Sequence, residues 1–312
     1  MGALALLNNA PTIGDAVQNM SFETYWREKQ RLIEKRLEEL VPSAEIEPKK
    51  LHESVRYSLF ADAKRIRPVF TMAVASLFRV DESELLDCAC TLEMVHTSSL
   101  ILDDLPCMDG ATLRRGKAAN HLVFGEDTAI LAALFLLNRA FGILADYKRS
   151  LFGPTLPVQF VSILSRSISS EGIIGGQIVD LASKNIRIDL ETLEFIHSHK
   201  TGALFIASAE MGTAFAKVRE VERQAILNFA KNLGLAFQIT DDILDATADP
   251  STIGKDTGKD IGKTTFISFC GLDGARQLAN ELIDTAEQSL RPLKSRAELL
   301  LSFAEFVRHR TK

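Results

Sequence analysis

From residue 21 to residue 309, apolar residues recur almost throughout at helical spacing, three or four positions apart, and strand-like alternation bounded by turn signals is nearly absent. A chain with that periodicity buries its apolar faces by packing helix against helix. An all-α fold is therefore expected, with helices near 21–40, 49–61, 68–78, 82–104, 125–147, 157–171, 173–183, 189–215, 219–247, 262–270, 274–291 and 295–309. Ser21 is a fair N-cap for the first, and Phe22, Trp26, Ile33 and Leu37 form its apolar stripe. No Gly/Ser linker and no repeat of fixed period divides the 312 residues. The economical organisation is one helical domain over 21–312, a bundle sharing one core, behind a flexible N-terminal tail over 1–20.

Composition narrows the class of function. With 46% hydrophobic and 25% charged residues, extensive disorder is excluded. A formal net charge of −5 argues against a nucleic-acid binder, which needs a concentrated excess of Lys and Arg. No apolar run is expected to reach the roughly twenty residues that span a bilayer, so no stable membrane insertion is expected. Cys88, Cys90, Cys107 and Cys270 lack paired zinc spacing and read as free thiols in a reducing compartment. The N-terminal apolar stretch is very short and has no Lys or Arg before it, unlike a signal peptide. A cytoplasmic location is the expectation.

Two acidic clusters stand at the ends of apolar helical segments. In "FQITDDILDATAD", residues 237–249, Asp241 and Asp245 are four apart and share one helix face, with Asp242 beside them. Like charges at that spacing repel, so a compensating cation is required. In "LILDDLPCMDGATLRRG", residues 100–116, Asp103 and Asp104 close a helix that Pro106 cannot continue. The break lets Asp109 return to their side. Arg114 and Arg115 follow, forked donors suited to phosphate oxygens. Hard divalent cations take oxygen ligands, and magnesium is bound by a few carboxylates plus substrate phosphates. More cations are available at Lys64, Arg65 and Arg67, at Lys200 beside Thr201, and at Lys255, Lys259 and Lys263. The combination describes a diphosphate site.

From about residue 30 to residue 290 the chain resembles the trans-isoprenyl diphosphate synthases of the short-chain type, which make farnesyl or geranylgeranyl diphosphate. The resemblance rests on "DDLPCMD", a first aspartate-rich motif with a two-residue insertion, followed by "LRRGK", and on "DDILD" preceded by "GLAFQI". It implies a bundle of antiparallel helices around a deep central cavity, usually a homodimer, joining isopentenyl diphosphate head-to-tail to an allylic diphosphate. It further implies Mg²⁺, three ions per site when diphosphate is bound, held by Asp103, Asp104, Asp109, Asp241, Asp242 and Asp245. Arg114, Lys200, Lys255 and Lys263 match the allylic diphosphate positions. Lys64, Arg67, His96 and Arg115 match those for isopentenyl diphosphate. Lys200, Thr201 and Gln238 match catalytic positions, the latter two flanking the developing cation.

Where the family usually has Gly-Gly before "KRLRP" and Gly-Asp in the helix after the first motif, this chain has Asp62-Ala63 and Ala133-Leu134; Leu102 replaces a common His. Ser98 and Ser99 occupy the positions five and four before Asp103, one turn down the cavity wall, where a bulky aromatic would form a floor. Two serines leave the tunnel open, so geranylgeranyl diphosphate is the expected product. Farnesyl diphosphate synthesis, or a weakly active or non-catalytic regulatory subunit, is the alternative. A terpene cyclase would build its second motif from Asn, Ser or Thr with Glu, and "DDILD" does not fit it.

Overall fold

A computed structural model describes residues 20–147, 155–247 and 264–310. The expected tail, Lys255, Lys259 and Lys263 lie outside them. The described residues form thirteen α-helices and one minimal hairpin. In chain order they are α1 (Phe22–Leu40), α2 (Lys49–Leu59), α3 (Ile66–Ser76), α4 (Glu82–Asp103), strands β1 (Leu113–Arg114) and β2 (Lys117–Ala118), α5 (Asn120–Phe124), α6 (Glu126–Ala145), α7 (Thr155–Ile168), α8 (Ile173–Ala182) and α9 (Leu190–His197). A π-helical turn (Ser198–Gly202), α10 (Ala203–Ala214), α11 (Glu220–Thr247), α12 (Phe266–Ser289), a 3₁₀ segment (Arg291–Ala297) and α13 (Glu298–Arg308) complete it.

The helical periodicity is realised nearly where it was expected, with three differences that have local causes. Ser21 caps α1 by accepting from the Thr24 amide, and Trp26, Ile33 and Leu37 are buried. The helix expected over 125–147 is preceded by the short α5, separated from α6 by Gly125 at φ 92°. The helix expected over 189–215 is interrupted by the π turn. The two segments expected near 262–270 and 274–291 join as α12 across a kink at Gly271, φ 73°.

α4 runs through the middle of the bundle, packed by α3, α6, α1, α10 and α2. Its length and hydropathy, and those of α6, are enough to cross a membrane, which corrects the expectation that no apolar run approaches that size. In α4 most of that apolar stretch is buried inside the bundle. α6 buries less of its own, leaving Ile130, Leu131 and Leu134 exposed at one-turn spacing.

The termini of the described chain meet over the start of α3. Phe22 and Trp26 on α1 pack edge-on and tilted against Phe303 and Phe306 on α13, with ring centroids 5.0 Å (Phe22–Phe303) and 4.8 Å (Trp26–Phe306) apart. Trp26 Nε1 donates to the Lys64 carbonyl at 3.1 Å, and Gln30 Nε2 to the Ala63 carbonyl at 2.8 Å. The segment where the family uses Gly-Gly is thus held by α1 through its backbone.

The π turn is wedged between two helices at glycines. A Cβ on Gly176 of α8 would stand 2.5 Å from the Lys200 backbone nitrogen, and one on Gly234 of α11 would meet the Gly202 Cα at 3.2 Å. No side chain fits the first gap, and only a small shift of the turn would admit one at the second. Gly176→Ala is therefore expected to lower unfolding stability by roughly 1–3 kcal/mol, as overpacking does. Urea unfolding monitored by circular dichroism measures it; an unchanged midpoint contradicts the wedge.

Candidate active site

The first aspartate cluster is bent into shape by backbone bonds after Pro106. The Asp109 amide donates to the Asp103 carbonyl at 2.9 Å, Gly110 to Leu105 at 3.0 Å and Ala111 to Asp104 at 3.1 Å. Asp109 is thereby folded back against the end of α4, as the proline suggested. Asp103 approaches Lys200 at 3.6 Å, and Asp109 approaches Lys184 at 3.2 Å. Asp104 turns elsewhere: it is buried, and Arg114 Nε lies 3.0 and 3.2 Å from its two oxygens. Both Asp104 oxygens are engaged by the guanidinium, as Asp103 and Asp109 are each met by a lysine.

The two adjacent arginines are split by the hairpin. β1 and β2 pair antiparallel, Leu113 with Ala118 and Arg114 with Lys117, around a two-residue turn of Arg115 (φ 53°) and Gly116 (φ 75°). Arg114 reaches Asp104, while Arg115 reaches Glu93 at 3.5 Å. Those carboxylates stand eleven residues apart on α4, about 16 Å at the usual rise. The sequence reading contained no strand and missed this device, because a four-residue ladder has no periodicity to detect.

Glu93 is the centre of the neighbouring cationic region. It is buried, and Arg65 Nη1 donates to it at 2.7 Å. Arg65 is itself buried, enters α3 in a left-handed conformation (φ 54°), and also donates to Glu34 at 2.6 Å and to the Leu59 carbonyl. Burial alone would raise the Glu93 carboxyl, but Arg65 and Arg115, with Arg67 beyond them, outweigh it and hold Glu93 below the usual carboxylate range. Arg67 is buried with its Nε unpartnered, its guanidinium 5.4 Å from the Phe205 ring centroid. Burial, reinforced by the charge of Arg115 and opposed by Glu93 and Asp241, brings Arg67 down to about 10. It stays charged at neutral pH. Burial and then the charges of Arg67, Arg115, Arg114 and Arg65 hold His96 well below its ordinary value, so its imidazole is neutral. Lys64 Nζ sits 5.8 Å from the Phe306 ring centroid. The structure thus gathers Arg67, His96 and Arg115, which the resemblance assigned to one diphosphate, around Glu93, with Lys64 at the edge towards α13.

The second cluster is linked to the first through the π turn. Lys200 Nζ bridges Asp180 at 2.9 Å and Asp103 at 3.6 Å. Burial would lower its ammonium, yet Asp103, Asp180 and Asp109 together raise it. The next residue, Thr201, donates to Gln238 Oε1 at 2.8 Å, and Gln238 Nε2 donates to Asp242 Oδ1 at 3.0 Å. Asp242 is buried; Asp241 meets Arg310 at 2.5 Å; Asp245 is exposed at the helix end. Asp180, Lys200, Thr201, Gln238 and Asp242 share the wall of one cleft. Consecutive residues on one turn therefore reach both aspartate motifs, Lys200 directly and Thr201 through Gln238.

Glu93, Asp180, Lys184 and Arg310 are site residues that the sequence reading missed. Asp180 and Lys184 lie in "GGQIVDLASK", which carries two close-packing glycines but no charge cluster. Ser98 is buried and donates to the Ala133 carbonyl of α6 at 2.8 Å, joining two helices. Ser99, half-buried, donates to His96 within its own helix at 2.9 Å and shares a face with His96 and Asp103. Of the other family departures, Leu134 lies on the exposed face of α6, and Leu102 packs against the core.

The neutral His96 generates a pH effect. Its folded value is depressed, so the unfolded chain takes up a proton first as pH falls below about 6.5. Its contribution to stability is full at neutral pH and lost on acidification. Wild type is expected to lose more thermal stability than His96→Gln between about pH 7.5 and pH 5.5; identical losses in calorimetry contradict the assignment.

Comparison with known proteins agrees with this geometry. The family model described as polyprenyl synthetase matches residues 48–299. A geranylgeranyl pyrophosphate synthase 9, chloroplastic, of Arabidopsis thaliana is 41% identical over 92% of this chain and 81% of its own. A heterodimeric geranylgeranyl pyrophosphate synthase large subunit 1, chloroplastic, of the same plant is 42% identical over 94% and 80%. Among solved structures, a geranyltransferase from Helicobacter pylori complexed with magnesium and isoprenyl diphosphate superposes with a TM-score of 0.81 at 31% identity, covering 92% of this chain and 95% of that one. With its helical bundle and two aspartate motifs joined through the π turn, the chain belongs to the polyprenyl synthetase family and is a prenyltransferase.

Proposed function

We propose that the chain condenses isopentenyl diphosphate head-to-tail with an allylic diphosphate, that Mg²⁺ is its metal, and that geranylgeranyl diphosphate is its main product. The observation that carries this reading is the π turn, whose Lys200 meets Asp103 and whose Thr201 leads through Gln238 to Asp242. The donor set fits a hard cation. Among the described residues no three His, Cys, Asp or Glu cluster tightly enough to hold an ion alone. Magnesium needs no such cage, because one or two carboxylates suffice when substrate phosphates complete its shell. Asp103 and Asp109 on one side, and Asp241 and Asp245 on the other, are the carboxylates for it, with the product name of the plant relatives and the magnesium of the bacterial structure in support.

The protein's own groups have the following parts. Lys200 and Arg114 neutralise charge accumulating on the departing allylic diphosphate, where fixed cations act without reorganisation. Bound Mg²⁺ would add Lewis-acid stabilisation of the same leaving group. Arg67, Arg115 and Lys64, with neutral His96 as a hydrogen-bonding partner, hold isopentenyl diphosphate so that its double bond lies against the allylic carbon. The dipoles of Thr201 and Gln238 flank the developing allylic cation, and the released pyrophosphate takes the final proton. The reading includes a homodimer, supported by the exposed Ile130, Leu131 and Leu134 of α6, an apolar face suited to a second copy. No stable membrane insertion is part of it.

Incubation of purified protein with isopentenyl diphosphate, Mg²⁺ and dimethylallyl, geranyl or farnesyl diphosphate is expected to release pyrophosphate and give a twenty-carbon product. Failure with every primer contradicts the reading. Ser99→Phe is expected to shift product towards fifteen carbons, and an unchanged chromatographic profile removes Ser99 from the cavity wall.

A further inference from the structure

The carboxylates of the two motifs meet cations of the protein: Asp104 meets Arg114, Asp103 meets Lys200, Asp109 meets Lys184, and Asp241 meets Arg310. Arg114 and Lys200 are accounted for by the allylic diphosphate. Lys184 and Arg310 are not. Lys184 stands just past the end of α8, where its Nζ lies 3.2 Å from Asp109 Oδ1 and donates to the Met108 carbonyl. Arg310 stands two residues past α13; its Nη1 lies 2.5 Å from Asp241 Oδ1, and its guanidinium lies 4.1 Å from the ring centroid of Phe237, one turn earlier on α11. The Arg310 side chain is only 10% exposed and that of Lys184 31%.

We propose that Lys184 and Arg310 are tethered counter-ions of the two metal motifs, which hold Asp109 and Asp241 in the metal-free protein and release those oxygens when a divalent cation enters. The proposal rests on the assignment of Asp109 and Asp241 to metal. Its physical basis is the repulsion among neighbouring aspartates, which weakens a helix end unless cations are close. Each tether is short: Lys184 is four residues beyond Asp180, which is held by Lys200, and Arg310 is anchored by the aromatic packing of α13. Both cations are therefore presented to their carboxylates at low entropic cost. A metal must displace them, so its entry is an exchange and its affinity depends on how firmly they are held. The less exposed Arg310 pair is screened less and is the stronger of the two.

The test is Mn²⁺ binding in the presence of inorganic pyrophosphate, which supplies the phosphate oxygens that complete the ion's shell, read from the electron paramagnetic resonance of the free ion and compared with pyrophosphate alone. Lys184→Met and Arg310→Gln are each expected to tighten Mn²⁺ binding by about three- to tenfold, Arg310→Gln by more, while the charge-preserving Lys184→Arg and Arg310→Lys keep the wild-type affinity. Asp109→Asn and Asp241→Asn are expected to lose binding. If the Asn variants lose Mn²⁺ while the charge-removing variants bind as wild type does, the exchange is overturned and the metal assignment stands. If wild type binds no Mn²⁺ beyond that held by pyrophosphate alone, or the Asn variants bind normally, both fall. Circular dichroism melting confirms folding, and the less buried Lys184 site decides the matter if Arg310→Gln does not fold.

Discussion

A carboxylate buried in the middle of a helical bundle has to be neutralised, and the ion pair between Glu93 and Arg65 is the constraint from which the rest of the site follows. Taking two charges out of water costs several kcal/mol per ion unless geometry and further hydrogen bonds offset it. Here Arg65 makes that offset with Glu34 and the Leu59 carbonyl as well as Glu93, and does so from a left-handed backbone conformation. Once Glu93 is charged, Arg115 is drawn to it across the hairpin turn, and Arg67 stays protonated despite complete desolvation. Burial, and then those same positive charges, keep His96 neutral. One buried carboxylate thus organises cations that carry a net positive field towards the cavity.

The same logic recurs at the aspartate motifs, where Arg114 pairs with Asp104 and Lys200 with Asp103. The termini contribute through aromatic packing rather than charge. By clamping α1 to α13, Phe22, Trp26, Phe303 and Phe306 bring the backbone of residues 63 and 64 under the control of Trp26 and Gln30. That arrangement supplies by tertiary contact the order that a pair of glycines would leave to the loop itself.

Much of this was legible in the sequence because it is local. Helical spacing predicts the helices, Ser21 caps the first, and Pro106 explains how Asp109 returns to Asp103. The two aspartate motifs could be read as one site because their residue types and order carry the chemistry. What was not legible depends on rotation or distance. Ser98 and Ser99 differ by about 100° around α4, enough to turn one hydroxyl to α6 and leave the other beside His96. Glu93 looked like one acid in an apolar helix, and its partners lie 28 and 22 residues away. The π turn has no composition of its own, since Gly176 and Gly234, which receive it, belong to two other helices.

In the proposed reaction Glu93 aims the isopentenyl diphosphate cations while touching no substrate. The most direct test of that role is the pair of KM values for Glu93→Gln, with Glu93→Asp as the conservative variant. KM for isopentenyl diphosphate is expected to rise about tenfold or more, KM for the allylic diphosphate to stay within about twofold, and Glu93→Asp to recover part of the loss. Equal rises in both KM values, or no rise in either, would contradict it.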